Sequence, residues 1–339
     1  MPPPIDTFGV GFTGKTVLIT GGTGSFGKNF ANYLLKNTDL KKLIIFSRDE
    51  RKQFQMRQQI NDPRIRFFIG DVRDLDRLKR AFNGVDIVVH AAALKHIPIL
   101  EYNPFEAVKT NILGSQNVID AAIDIKVKKV LLISTDKAAE PVNLYGSTKL
   151  CAEKLFISGN SYTKGETIFS CVRYGNVLGS RGSIVETLIS NKKKNAEKVN
   201  LTDEQMTRFW ITLSQAIQLV LFALKNMNGG EIFIPKPPSM KLTHLFEVIV
   251  PNIPRQIIGI RPGEKLHEIL ITKDEARHTL DLGKYFVILP EDKDIFDIDQ
   301  RFSEFIESGR RPAKNFSFSS DNNTRWLMPE DLKKILKLI

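Results

Sequence analysis

The sequence predicts an α/β fold, a doubly wound parallel sheet with a smaller α/β domain beside it, and three observations carry that prediction. From Lys15 onward, short apolar runs alternate with longer segments of helical spacing; the runs are continuous rather than alternating; and a glycine-rich loop joins the first run to the first helical segment.

The runs are Val17-Leu18-Ile19, Leu43-Ile44-Ile45-Phe46, Phe67-Phe68-Ile69, Ile87-Val88-Val89 and Val130-Leu131-Leu132-Ile133. Each is rich in β-branched or aromatic residues, and such continuity predicts strands covered on both faces. Between them, Phe26, Phe30, Leu34 and Leu35 share one helical face, while Leu75, Leu78, Ala81 and Phe82 share another. After about residue 175 the rhythm changes to loops rich in Gly, Ser, Asn and Lys and to the proline-bearing stretches 235–238 and 251–262. Residues 1–175 are therefore expected to form the first domain and 176–339 mainly the second. Residues 205–230 are expected to return to the first, because Ile211 to Met227 has helical periodicity.

A chain of 339 residues is long enough to bury a real core. Its net charge of +11 comes from 49 Lys and Arg spread along the whole length, and the densest cluster, Lys192-Lys193-Lys194, is short. That distribution fits a solvated surface and anionic small molecules better than nucleic acid. Cys151 and Cys171 lack metal-ligand spacing, so neither a disulfide framework nor a metal is expected. The start, MPPPIDTFGVGF, has no basic region followed by an apolar run, and no apolar stretch approaches the ~18 residues of a membrane helix. The expectation is a cytoplasmic protein with no membrane partner.

Directly after the first run stands Thr20-Gly21-Gly22-Thr23-Gly24-Ser25-Phe26-Gly27. Glycines serve where a backbone turns tightly or approaches a pyrophosphate, and a helix start adds amide donors and a positive dipole. Between strand and helix, with four more strands behind it, this loop predicts a Rossmann-like dinucleotide site formed by Gly21, Thr23, Gly24, Ser25, Phe26 and Gly27. The second run ends in Ser47-Arg48-Asp49-Glu50-Arg51-Lys52, where an NAD-preferring site places an acidic residue. Arg48, joined by Lys52 one turn on, can pair with a 2′-phosphate, which favours NADP. The alternative is two surface cations beside Asp49. After the third run, Asp71 with Val72 is placed to accept from the adenine amine. Ala91 and Ala92, after the fourth, are small enough for a cofactor to lie against the backbone.

After the fifth run comes Ser134-Thr135-Asp136-Lys137, then Tyr145-Gly146-Ser147-Thr148-Lys149 opening a helix. Tyr145 and Lys149 are four apart and share a face. A nearby ammonium favours phenolate, so the expectation is a Tyr145 phenol of lowered pKa that takes a proton from a sugar hydroxyl while hydride leaves to the nicotinamide.

At these residues the sequence resembles the extended short-chain dehydrogenase/reductase family over nearly its whole length. Within it, the chain is similar to the soluble, C5-inverting UDP-N-acetylglucosamine 4,6-dehydratases that begin pseudaminic acid synthesis. The match is carried by TGGTGSFGK, SRDERKQ, RFFIGDVRDL, HAAALKH, STDKAAEPVNLYGSTKL, RYGNVLGSRGS, MTRFWIT and RPGEKLHE. The resemblance implies that Tyr145 with Lys149 oxidises C4, that Thr135 holds the C4 oxygen, that Asp136 is the acid at the C6 hydroxyl and that Lys137 is the base at C5. Related dehydratases use an Asp-Glu pair where this chain has Asp136-Lys137. Retaining relatives tend to carry Met in place of Tyr145, so the resemblance implies inversion. The retaining reaction and a 4-epimerase of the same fold are the alternatives.

For the substrate, UDP-N-acetylglucosamine, the resemblance points to Lys95, Tyr174, Asn176, Arg181, Arg261 and Glu264, with Lys95 also near the cofactor. Lys95 and Arg181 could equally be plain surface cations. Asn111 falls where the family keeps an asparagine, and it is placed near the cofactor. His90, His96 and His267 are given no catalytic role. Glu140 departs from the Asn or small residue usual there. A homo-oligomer, a dimer built on two helices per subunit or a hexamer of such dimers, is also implied.

Overall fold

The computed structural model describes residues 9–336 except 164, 181 and 294. In chain order, β1 (Thr16–Thr20), α1 (Ser25–Asn37), β2 (Lys42–Ser47), α2 (Glu50–Gln59), β3 (Ile65–Ile69), α3 (Leu75–Phe82) and β4 (Ile87–His90) build the first half of a large sheet. Next come α4 (Ile97–Tyr102), α5 (Pro104–Ala107), a π-helical turn (Val108–Leu113) and α6 (Gly114–Ile125). These lead to β5 (Lys129–Ile133), a 3₁₀ turn (Asp136–Ala138), α7 (Leu144–Gly159) and β6 (Ile168–Val172).

The later chain contributes β7 (Asn176–Val177), α8 (Ile184–Lys193), β8 (Val199–Leu201), β9 (Thr207–Ile211), α9 (Leu213–Asn226) and β10 (Ile232–Pro235). It continues with β11 (Ser239–Lys241), α10 (Leu242–Ile249), β12 (Arg255–Ile257), β13 (Ile269–Ile271), β14 (Thr279–Asp281) and β15 (Tyr285–Ile288).

Nine strands form one sheet in the order β3-β2-β1-β4-β5-β6-β10-β15-β14. The first seven run parallel, and β15 and β14 close the far edge antiparallel. All five predicted strands are present and adjacent. β6 and β10 extend them with shorter runs, one broken by Ser170 and one ending at Pro235.

Alternate residues of each strand feed opposite cores. Val17, Ile19, Ile45, Val89 and Leu131 pack with Phe30 and Leu34 of α1 and Leu219 and Val220 of α9. Leu18, Ile44, Phe46, Val88, Val130 and Leu132 pack with Leu78 and Phe82 of α3, Val118 of α6 and Phe156 of α7. A third cluster, holding Val185, Leu188, Trp210, Met240, Leu245 and Phe246, supports the smaller layer. β3 departs from the double coverage expected of it. It is the sheet's edge, and Ile69 is 47% exposed because no neighbouring strand lies beyond it.

One polar cluster locks these layers. The Arg173 guanidinium, wholly buried just past β6, meets Glu153 of α7 at 3.1 Å (Nε to Oε1) and 2.6 Å (Nη2 to Oε2). It also meets Glu275 at 2.7 and 2.9 Å and the Leu270 carbonyl at 3.0 Å. Two forked carboxylates satisfy the donors that burial would otherwise strand.

Candidate active site

Parallel strands of such a sheet end on one side, and the loops there enclose a cavity of about 820 Å³. At its cofactor end, Gly21 has φ +64°, and a Cβ there would lie 2.8 Å from the Ala92 backbone. Only glycine lets the β1 loop lie against the β4 loop. The Thr20 hydroxyl accepts from the Ala91 and Ala92 amides at 3.2 and 3.3 Å and is 2.7 Å from His90 Nδ1. Its proton therefore goes to Nδ1, leaving His90 Nε2–H to donate to Ser115 Oγ at 3.2 Å. Burial, with the Lys149 charge nearby, pushes His90 down to about 3, so this histidine is a neutral structural brace.

The N-cap of α1 is Gly24, which has no side chain to cap the helix, and a helix start offers amide dipoles suited to an anion. The cradle made by Gly21 and this uncapped helix start fits a dinucleotide's pyrophosphate. Thr23, Gly24, Ser25, Phe26, Gly27, Arg48, Lys52, Asp71, Val72, Ala91, Ala92 and Lys95 all line the cavity. Arg48 sits 3.6 Å from Asp71 (Nη1 to Oδ2), and Lys52 pairs with Asp49 at 2.7 Å. Asp71 also accepts from the Arg73 amide and side chain at 3.0 and 2.8 Å. Burial raises Asp71, but Arg73 and Arg48 outweigh it and hold the carboxyl below its ordinary value.

Asn111 lies behind this wall rather than on it. The π turn directs its side chain to the Leu94 backbone, accepting from N at 2.8 Å and donating to O at 2.9 Å, and it donates to Thr148 Oγ1 at 3.0 Å. It ties the β4 loop to α7 and shapes the cofactor end from beneath.

The chemical end is built by the 3₁₀ turn and α7. Asn143 caps α7 through the Gly146 amide at 2.8 Å and donates to the Gly263 carbonyl at 2.8 Å, joining the helix to the 261–268 loop. A Cβ on Gly146 would lie 2.2 Å from the Lys137 carbonyl oxygen, so glycine is what allows α7 to approach the turn. Thr135, Lys137, Tyr145 and Lys149 line the cavity. Asp136 is fully buried beneath them, its Oδ1 accepting from Thr135 Oγ1 at 3.0 Å and from Lys137 Nζ at 3.1 Å. Its Oδ2 meets no partner among the described residues.

Burial raises the Asp136 carboxyl above its ordinary value, the Lys137 charge opposing. The Tyr145 phenol is the main correction to the sequence reading. Burial pushes it up to about 12, and the cation that opposes burial is Lys137, not Lys149; a hydrogen bond with Thr135 acts in the same direction as Lys137. Lys149 is itself driven down to about 8 by burial, with Glu153 opposing.

Tyr174, Asn176, Arg261 and Glu264 also line the cavity, with Asn176 Oδ1 accepting from Lys137 Nζ at 3.5 Å and Arg261 3.9 Å from Glu264. Arg181 lies outside the described residues. His267 is held by Thr207, Nδ1 to Oγ1 at 2.8 Å, and His96, on the cavity wall, is the N-cap residue of α4.

Sequence reasoning missed Glu268 and Arg208. Glu268 Oε1 lies 3.0 Å from Lys137 Nζ and 3.6 Å from Arg208 Nε. Arg208 spends its other donors on the Thr207, Leu266 and Lys265 carbonyls. The signal was present: Arg208 immediately precedes the apolar run Phe209-Trp210-Ile211, and Glu268 immediately precedes Ile269-Leu270-Ile271. A charge embedded in a buried strand needs a partner.

Glu140 has φ +47°, a left-handed conformation that asparagine and glycine adopt more readily than glutamate. Glu140→Asn is expected to raise stability by about 0.5–1 kcal/mol, read as the midpoint of chemical denaturation.

The comparisons with known proteins agree with this architecture. A family model described as polysaccharide biosynthesis protein matches residues 17–290. The chain is 50% identical over 328 residues to a Campylobacter jejuni protein named UDP-N-acetylglucosamine 4,6-dehydratase (inverting), covering 96% of this chain and 98% of the other. It is 39% identical over 333 residues to a Rickettsia felis protein named UDP-glucose 4-epimerase, covering 96% of each. Among solved structures, Pen from Bacillus thuringiensis matches with a TM-score of 0.86 at 41% identity, over 97% of this chain and 98% of that one. DesIV, a dTDP-glucose 4,6-dehydratase from Streptomyces venezuelae, matches with a TM-score of 0.68 at 21% identity over 74% and 86%, a likeness of fold. With its Gly21 loop, its Tyr145–Lys149 helix and these relatives along nearly its whole length, the chain belongs to the polysaccharide biosynthesis protein family, built on the extended short-chain dehydrogenase/reductase fold.

Proposed function

We propose that this protein is a UDP-N-acetylglucosamine 4,6-dehydratase that inverts C5, with NADP as its cofactor. The observation that carries the reading is the Asp136-Lys137 pair, 3.1 Å apart, with Lys137 beside Tyr145 on the cavity wall and Asp136 buried directly beneath it. An epimerase needs Tyr145 and Lys149 but has no use for a second acid and base. The 50% identical relative named as the inverting enzyme supports the same choice over the 39% identical one named an epimerase.

The nicotinamide, when bound, supplies the hydride acceptor. Tyr145 takes the C4 hydroxyl proton as its phenolate, the form that the Lys137 charge and the Thr135 hydrogen bond favour against burial, and the resulting ketone acidifies C5. Lys137 takes the C5 proton. Asp136, whose carboxyl burial raises, is the acid that supplies the proton with which the C6 oxygen leaves as water; the Thr135 hydroxyl, 3.0 Å away, bridges this covered acid to the cavity. A proton restored on the opposite face of C5 gives inversion. Substrate deuterated at C4 should deliver its label to the C6 methyl of the product. Label found at C4 of an epimer would end the reading.

NADP is favoured because Arg48 and Lys52 stand where β2 ends and line the cavity. Their carboxylate partners, Asp71 and Asp49, are the competitors a 2′-phosphate must displace. Arg48→Ala is expected to weaken NADP about 10-fold or more with NAD nearly unaffected, measured by calorimetry, as loss of one charge-assisted bond predicts. A homo-oligomer is supported by Ile99, Tyr102, Phe105 and Leu113, apolar yet exposed along α4, α5 and the π turn. Among the described residues no helix is long and apolar enough to cross a membrane.

A further inference from the structure

The lysine assigned as base is held in a setting that keeps it charged. Lys137 Nζ lies between two carboxylates, Asp136 Oδ1 at 3.1 Å and Glu268 Oε1 at 3.0 Å. Burial alone would discharge it, but with both carboxylates ionised their charges win and raise its pKa above the ordinary lysine value, and Glu268 goes on opposing burial once Asp136 carries its proton. An ammonium cannot accept a proton, so the base needs somewhere to put the one it carries.

From this geometry we infer that Glu268 serves as the proton store for Lys137, acting through that lysine rather than on the sugar. The inference rests on the dehydratase reading. Glu268 is 2% exposed, lines the cavity and leaves Oε2 without a partner among the described residues. Its backbone is pinned by Ser320, which donates to its carbonyl at 2.8 Å and accepts from its amide at 2.9 Å. Asp136 cannot take the lysine proton while it holds the proton meant for C6. The two carboxylates are driven apart: burial raises both, but Lys137 and Arg208 outweigh it at Glu268, which stays below its ordinary value and ionised. The acid and base carboxylates that related dehydratases carry side by side are thus present here on two different elements, with a lysine between them.

The step balances. Lys137 Nζ passes a proton to Glu268 Oε1, and the free amine takes the C5 proton. The electrons of the C5–H bond form the C5–C6 double bond as the C6–O bond breaks, and the oxygen leaves as water with the Asp136 proton. The Lys137–Glu268 pair has gained one proton, which it returns to solvent, while a solvent proton reaches C5 from the opposite face as the hydride taken from C4 would return to C6, so that protons and electrons balance. Asp136 has lost one while Tyr145 has gained the C4 hydroxyl proton, and Thr135 bridges those two groups.

Glu268→Gln keeps the size and an oxygen for Lys137 but cannot store a proton. In single turnovers of the holoenzyme with UDP-N-acetylglucosamine, nicotinamide reduction should proceed within a few-fold of wild type. Deuterium entry at C5 from heavy water and product formation should fall about 100-fold or more, so that the reduced cofactor accumulates. Glu268→Asp should recover part of the loss. A merely structural role would slow reduction and C5 exchange together. Either that outcome or C5 exchange at the wild-type rate in Glu268→Gln overturns the role of Glu268. Should the Gln chain not fold, Glu268→Asp carries the test: slowed exchange with intact reduction supports the store, and an equal effect on both steps overturns it. A wild-type enzyme that releases only the C4 epimer overturns the dehydratase reading itself.

Discussion

Lys137→Met should abolish dehydration while leaving the fold and cofactor binding in place. Methionine matches the length of the lysine stem, so the cavity wall persists, but no group remains to take the C5 proton. Loss of a positioned base predicts a fall of about 100- to 10,000-fold in kcat, measured as product formed per enzyme. C4 oxidation runs through Tyr145 rather than through a C5 base, so the reduced nicotinamide should still appear on adding substrate, but more slowly, because Lys137 is the cation that opposes the effect of burial on Tyr145. Removing the ammonium also leaves Asp136 and Glu268 facing each other with Arg208 as the remaining close cation. A modest loss of stability is therefore expected beside the catalytic one, and turnover at the wild-type rate would remove Lys137 from the chemistry.

Arg173→Met should be the most destabilising single change considered. It strands Glu153, 1% exposed, and the half-buried Glu275, whose carboxylates were both satisfied by the guanidinium. Burial raises Glu275, but the arginine outweighs it and holds the carboxyl below its ordinary value, so losing the arginine leaves a carboxylate that must stay buried unpaired or take up a proton. Breaking a buried ion pair from one side costs about 3–5 kcal/mol, which should appear as a large drop in the denaturant midpoint. Adding Glu153→Gln should recover part of it, because one stranded charge is removed. Because Glu153 also supports the charge on Lys149, the single variant should disturb catalysis as well as folding.

Much of this was legible in the sequence because its signals are local. Five continuous apolar runs, the Gly21–Gly27 loop and the i, i+4 spacing of Tyr145 and Lys149 each act over a few residues, and the sheet, the cradle and the cavity wall follow from them. β6 and β10 were hidden by Ser170 and Pro235, residues that weaken a strand's apolar signature but sit comfortably once neighbours flank them.

What the sequence could not display were charges paired across the whole chain. Glu268 meets Lys137, and Glu275 meets Arg173, only after the sheet has closed. The expected lowering of the Tyr145 pKa failed for a related reason: spacing along a helix shows which cation is near, but not how much solvent the fold removes. Asn111 shows the same limit, since a π turn redirects its side chain from the cofactor face to the Leu94 backbone.

The most direct test of the dehydratase reading is nuclear magnetic resonance of the product formed from UDP-N-acetylglucosamine in heavy water. The account predicts a C6 methyl group, a C4 ketone, and deuterium at a C5 of inverted configuration. A product that retains its C6 hydroxyl and differs from the substrate only at C4 would contradict it.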